Sequence, residues 1–319
     1  MLLTCGEALI DLVPGESGDS DFKPVPGGAP YNVACAVSRM GAPAAFLGAV
    51  ADDWLGELLR ARLRETGVDT GLLAQRTAAT PIALVRRNPT GSAEYIFHGL
   101  GPDSPCLTEE HIPANLPDQV NCIVTGGLAA GLPGSAEVVE ALLERERGHR
   151  LLVLDPNIRP TLMYDRPALL DRWWRQLACA DIVKVSDEDV GWLAPGEEPE
   201  AFARHLLEHG PALVVLTRGG DGAVALTLKE RVFVRPPKIT VRDTVGAGDT
   251  YTAACLVWLH RQGLLSRDAT VGLGRGPLHE LLRFASAAAA ICCTRAGAET
   301  PTLDEVQSLL TRTASVGGT

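Results

Sequence analysis

The sequence predicts an α/β fold: a central, mostly parallel sheet flanked by helices on both faces. Two observations carry this. From residue 120 onward, short runs rich in Val, Ile and Leu alternate with longer segments of helical character, and strands separated by helices pair in parallel and are buried on both sides. A chain of 319 residues with 46% hydrophobic content can also bury the core that such a layered sheet needs. Residues 1–319 read as a single domain.

Residues 2–13 read as a first strand, interrupted by Gly6, Glu7 and Asp11. Ligands of parallel sheets collect at the C-terminal strand ends, which places Asp11 at a binding edge, although a plain turn acid has the same signature. Residues 14–26, rich in Gly, Ser, Asp and Pro, form a loop or an edge hairpin. Gly27 and Gly28 open a helix over 31–40, which Gly41 and Pro43 stop. Paired glycines admit a ligand close to the backbone, and Asn32 offers it both a donor and an acceptor. A capping Asn would look alike.

A second strand over 44–50 and a helix over 54–66, ended by Gly67, follow. Residues 82–85 and 95–97 flank Asn88-Pro89-Thr90-Gly91 and read as a hairpin outside the strand–helix rhythm. The rhythm then runs regularly, with strands at 122–125, 151–155, 182–185 and 213–216 and helices at 135–146, through 173–177, and at 201–209. Asp155-Pro156-Asn157-Ile158-Arg159 brings polar groups to another strand end. Lys184-Val185-Ser186-Asp187-Glu188-Asp189 puts acids at a helix start, where the dipole favours them in any case. Thr217-Arg218-Gly219-Gly220-Asp221-Gly222 is a Gly-rich turn that serves equally as a phosphate cradle or a hairpin turn.

Helices to 259, over the alanine-rich 281–291 and over 302–310 close the chain, with a frayed tail at 316–319. His205, Glu208 and His209 match the inverted zinc-protease spacing. A distal ligand is not evident, and a solvated helix face explains them better.

Asp243-Thr244-Val245-Gly246-Ala247-Gly248-Asp249-Thr250 stands apart, because it runs at once into the apolar segment 251–259. A Gly-Ala-Gly turn entering a helix leaves the first N–H groups unpaired, with the positive dipole end behind them. Such a turn seats an anion. Asp249 within it suits a group that accepts a hydroxyl proton while the amides of Gly246, Ala247 and Gly248 hold a phosphoryl group. An Asp N-cap after a glycine turn is the simpler alternative.

Composition narrows the partners. The net charge of −10 and pI near 5.2 argue against nucleic acid or an anionic membrane. Residues 1–7 carry no basic leader, and no apolar run is long enough to span a bilayer, so a cytoplasmic protein is expected. Eight cysteines without framework spacing read as buried thiols in a reducing compartment. Neither a Walker loop nor a Gly-x-Gly-x-x-Gly after the first strand is present.

The segment 243–249 resembles the C-terminal signature Asp-Thr-x-Gly-Ala-Gly-Asp of the ribokinase-like (PfkB) carbohydrate kinases. Gly27-Gly28-Ala29-Pro30-Tyr31-Asn32 resembles that family's N-terminal Gly-Gly signature, and the likeness covers essentially the whole chain. It implies a ribokinase-like fold with a small β lid near residues 12–26 and 78–101, which covers the sugar, excludes water and often supplies a homodimer contact. It also implies ATP as co-substrate, Mg²⁺, and in many members K⁺.

By this resemblance Asp249 is the base, and Asp11, Gly27, Gly28, Asn32, Asn157 and Arg159 lie at the sugar. Lys184, Ser186, Thr217, Gly219, Gly222, Gly248 and Ser286 lie at ATP. Asp189 organises Mg²⁺ through water, though Ser186 and Asp189 stand where the family has Asn and Glu. Asp243, Val245, Cys292, Arg295 and Gly297 lie at a monovalent-cation loop.

The Asp-Pro-Asn-x-Arg run is similar to that of fructokinases and 2-keto-3-deoxygluconate kinases. The expected activity is ATP-dependent phosphorylation of a primary hydroxyl of D-fructose, with 2-keto-3-deoxygluconate or ribose as alternative acceptors. Residues 95–103 lack the Arg that fructokinases often carry after the aromatic run, and Arg86 and Arg87 would suit an acidic sugar. A sugar-binding regulator without turnover and a zinc hydrolase are the readings from other classes.

Overall fold

The computed structural model describes residues 1–319 apart from 16–17, 88–92, 102–103, 105, 164 and 317–319. The turn expected at 88–91 and most of the tail lie outside the described residues. The elements in chain order are β1 (Leu2–Cys5), β2 (Leu9–Gly15), β3 (Gly18–Gly27), α1 (Ala29–Arg39), β4 (Ala44–Ala51), α2 (Trp54–Thr66), β5 (Leu73–Arg76), β6 (Ile82–Arg87) and β7 (Ala93–His98). There follow β8 (Cys122–Gly126), α3 (Gly127–Gly131), α4 (Ser135–Glu146), β9 (Leu151–Asp155), α5 (Arg166–Cys179), β10 (Ile182–Ser186), α6 (Asp187–Leu193), α7 (Pro199–His209) and β11 (Leu213–Thr217). The chain closes with β12 (Ala223–Leu226), β13 (Arg231–Val234), α8 (Ala247–Arg261), α9 (Arg267–Val271), α10 (Arg275–Cys293) and α11 (Leu303–Val316).

Nine strands form one sheet in the order β13-β12-β11-β10-β9-β8-β1-β4-β5. Alternate side chains of the same strand face opposite helical layers. Leu2, Val124 and Val153 pack into the layer that holds α1, α8 and α10, while Leu3, Ile123 and Leu152 pack into the layer of α4, α5 and α7. Burial on both faces explains why these strands read as unbroken apolar runs. The pairings from β5 through β11 are parallel, whereas β12 and β13 add antiparallel strands at the far edge. The Gly-rich turn at 218–222 is therefore a hairpin turn, because it joins β11 to antiparallel β12.

The expected first strand is in fact two strands in two sheets. β1 pairs with β4 and β8, but the chain leaves the large sheet at Gly6, and β2 becomes part of a four-stranded sheet ordered β3-β2-β6-β7. Two local features force the departure. Gly6 has no room for a side chain, since a Cβ would lie 2.5 Å from Pro30 Cγ. The buried Glu7 carboxylate accepts the N–H of Ala29 at 3.2 Å and of Ala129 at 3.0 Å, which turns the chain toward two helix starts. Of the segment expected as a loop or an edge hairpin, Gly18–Gly27 is the edge partner of β2, with Asp11 opposite Val25 and Leu9 opposite Gly27.

Helix limits follow the capping signals. Asp53 caps α2 by accepting the Gly56 N–H at 2.7 Å, and Gly67 ends it in the left-handed conformation at φ 78°. No described helix is long and apolar enough to cross a membrane.

Candidate active site

The turn before α8 is shaped by glycine and tied down by Asp243. The Asp243 carboxylate accepts the N–H of Val245 at 3.2 Å and of Gly297 at 2.9 Å, joining this turn to the loop after α10. Gly246 has φ 74°, and a Cβ there would run into Ala298. It is the N-cap residue of α8 and has no side chain to satisfy the helix start. The Ala247 N–H reaches back to Thr244 O at 3.2 Å, and the Thr250 N–H bonds Gly246 O at 2.8 Å. Among the described residues, the N–H groups of Gly248 and Asp249 have no backbone acceptor. The amide seat is thus narrower than the sequence suggests, with Ala247 drawn out of it.

Asp249 lies in the first turn of α8, 7% exposed. Its Oδ2 accepts from Asn32 Nδ2 at 2.8 Å, and its Oδ1 from Asn157 Nδ2 at 3.4 Å. Burial pushes the carboxyl up to about 7, opposed by the Asn32 hydrogen bond and by Arg159 and Lys184. Asp11 on β2 lines the same cleft and is also pushed up to about 7, by burial first and then by the charge of Asp249. Asp249 and Asp11, both raised to about 7 in one cleft beside Arg159, are poised to exchange protons near neutrality.

Every expected sugar residue except Gly27 lines this cleft: Asp11, Gly28, Asn32, Asn157 and Arg159 meet Gly246 and Asp249 there. Gly27 lies behind Asp11, where a Cβ would strike the carboxylate. Sequence reasoning missed several members of the lining, among them Glu7, Tyr95 and Phe97. The aromatics belong to β7 and stack at 5.7 Å, and the Arg159 guanidinium sits 5.3 Å from the Tyr95 ring centroid. An acid inside an otherwise apolar run was the available signal for Glu7.

A second cavity of 430 Å³ lies on the other side of the turn, within the usual size range for a small-molecule site. Thr217, Gly219, Gly222, Gly248 and Ser286 all line it, with Ala289 and Ala290 of α10. Two expected nucleotide residues do not. Ser186 caps α6, its Oγ accepting the Asp189 N–H at 3.0 Å. Lys184 is buried beneath the turn and pairs with Asp155 at 3.1 Å, while Asp155 also accepts from Thr252 Oγ1 at 2.8 Å. Burial opposes the Lys184 charge, but Asp155 overcomes it and holds the ammonium above its usual value.

Asp189, expected to organise Mg²⁺ through water, has both carboxylate oxygens on protein donors. The carboxylate is 4% exposed and is engaged by the Ile158 N–H and by Ser186. Among the described residues no group of three His, Cys, Asp or Glu side chains is arranged to hold a metal. His205 and His209 instead pack ring to ring at 4.6 Å beside Trp174. Of the residues expected at a monovalent cation, Cys292 Sγ lies 3.7 Å from Val245 O, and the Asp243 carboxylate accepts the Gly297 N–H. Arg295 is turned away, to Thr300 O and Glu305.

The arrangement is a cleft lined by carboxylates, amides and a guanidinium, and a 430 Å³ cavity, with one glycine turn as their common wall. The family model described as pfkB family carbohydrate kinase matches residues 1–305. The chain belongs to this family. Among the relatives of this pfkB kinase, a fructokinase of Rhizobium leguminosarum bv. trifolii is 39% identical over 275 residues, covering 86% of this chain and 84% of the relative. Probable fructokinase-5 of Arabidopsis thaliana is 32% identical, covering 97% of each chain. The fructokinase of Xylella fastidiosa with bound ATP superimposes with a TM-score of 0.89 at 27% identity, covering 98% of each chain. The fold is ribokinase-like, and the chain is a sugar kinase with ATP as co-substrate.

Proposed function

We propose that this kinase transfers the γ-phosphoryl group of ATP to a primary hydroxyl of D-fructose, with Asp249 as the base. The carrying observation is the shared wall: Gly248 faces the nucleotide-sized cavity while Asp249 and Gly246 face the cleft of Asp11 and Asn32. A hydroxyl held by Asp11 and Asn32 loses its proton to Asp249 Oδ. Its oxygen forms a bond to the γ-phosphorus, the bond to the β,γ-bridging oxygen breaks, and ADP leaves with that electron pair. The free N–H groups of Gly248 and Asp249 receive the charge on the transferring group. The relatives named fructokinase support the choice of sugar.

Mg²⁺ would arrive on the ATP phosphates with its waters retained. When bound there it neutralises phosphate charge. The carbonyl-lined loop of Asp243, Val245 and Cys292 is the proposed seat of K⁺. The small sheet over the cleft serves as the lid, and its exposed Phe22 and Ile96 are the proposed dimer contact.

One observation favours a second acceptor. Arg159 is the cationic lining residue of the cleft, and it would pair with the carboxylate of 2-keto-3-deoxygluconate. A coupled ADP-release assay with fructose, ribose and 2-keto-3-deoxygluconate tests both. The highest kcat/KM on fructose supports the reading, preference for the keto-acid replaces it, and no transfer to any sugar leaves a binding protein.

A further inference from the structure

Asp189 is buried, and both its side-chain oxygens are engaged. Its Oδ1 accepts the Ile158 N–H at 2.8 Å, and its Oδ2 accepts the Ser186 N–H at 2.9 Å and Ser186 Oγ at 2.6 Å. Ser186 Oγ in turn accepts the Asp189 N–H, so the two residues form a reciprocal helix cap. This lock fixes one carboxylate oxygen and aims the other at residue 158.

The segment it reaches needs holding. Asn157 is the non-glycine residue with positive φ among the described residues, at 42°, a conformation that persists only where the surroundings impose it. Its Nδ2 lies 3.4 Å from Asp249 Oδ1. Arg159, on the other side of Ile158, lines the cleft and stacks on Tyr95. The N–H between these two site residues is the one that Asp189 grips.

We infer that Asp189 is a positioning residue for phosphoryl transfer: by anchoring the Ile158 N–H it holds Asn157 against Asp249 and Arg159 in the sugar cleft. The inference rests on Asp249 being the base, and it does not depend on which sugar is phosphorylated. It assigns the carboxylate to a backbone contact instead of to the metal, and those two roles respond differently to loss of charge. An Asn at 189 keeps an oxygen for the Ile158 N–H, at the loss of the Ser186 N–H, but has no charge to offer Mg²⁺ or its waters.

The test compares D189N, D189A, N157A, D189A/N157A and D249N on the sugar that the wild-type protein turns over best. Reading kcat, KM for ATP and the Mg²⁺ half-saturation, we expect D189A to lower kcat by about 10-fold or more through misplacement of the site. Its KM for ATP and Mg²⁺ half-saturation stay within about 2-fold of wild type, and D189N keeps kcat within about 3-fold. Because Asp189 acts through Asn157, the double variant falls little below N157A alone. Equal losses in D189N and D189A with a raised Mg²⁺ half-saturation would overturn the proposal, as would additive losses in the double variant. If D189A does not fold by circular dichroism, D189N decides alone on the same two readouts. A fully active D249N is a separate result, which removes the base and the proposed function with it.

Discussion

Asn32 and Asp249 meet across the cleft, Nδ2 to Oδ2 at 2.8 Å, from helices α1 and α8 that begin at the two glycine turns. The amide donor favours the ionised carboxylate that burial disfavours. Replacing Asn32 by Ala removes that donor and leaves burial unopposed at this oxygen. The acidic limb of kcat against pH should move upward by about one unit. An unmoved limb would show that the bond does not act on the base.

In the wild-type protein the same limb should fall near pH 7. Asp249 accepts a proton only when ionised, and its value is pushed up to about 7. Activity therefore rises as pH increases through neutrality and is lost below it. Asp11, pushed up to about 7 beside it, couples to this titration, so the limb belongs to the pair. A limb near pH 4 in a kcat/KM profile would contradict the geometry.

Asp249→Asn should cut kcat by at least ~10²-fold while sugar still binds by calorimetry. The same variant should be more stable than wild type at pH 8. Because the folded-state value of Asp249 is raised, its contribution to stability is present in acid and is lost as pH rises toward 7. Thermal melting should show a Tm higher by about 2 °C or more at pH 8, with the difference closing near pH 4.

Gly27→Ala places a methyl group on the Asp11 carboxylate. KM for the sugar should rise by about 10-fold, with KM for ATP unchanged, because Gly27 touches the acceptor side alone. A parallel rise in both constants would point to a general loss of fold.

Lys184→Met leaves Asp155 buried without its ion-pair partner. Breaking such a pair costs about 3–5 kcal/mol. Urea unfolding should report this as a lower midpoint at unchanged slope.

Much of this was legible in the residues. The double-sided burial of β8, β9, β10 and β11 writes itself as apolar runs, and the glycines at 27–28 and 246–248 mark where the backbone must approach a ligand or a neighbouring loop. β5 and β13 were not legible, because short edge strands carry little apolar signal, and β12, though inside the sheet, is only Ala223–Leu226. Cys5 and Leu9 look like one strand for a related reason: sequence shows that an apolar run is buried, not against which sheet. Ser186 and Asp189 illustrate a further limit. A helix-capping pair and a metal-facing acid share one spelling, and the Ile158 N–H that Asp189 accepts cannot be read from it.

The passage of the chain from β1 into β2 carries a further consequence. Asp11 rides on one sheet and Asn32 on a helix of the other layer system, so a hexose held by both, as proposed, would be a rivet between two bodies. Whatever draws these bodies together tightens hold on the hexose, and by reciprocity a bound hexose toughens the whole fold against heat and protease.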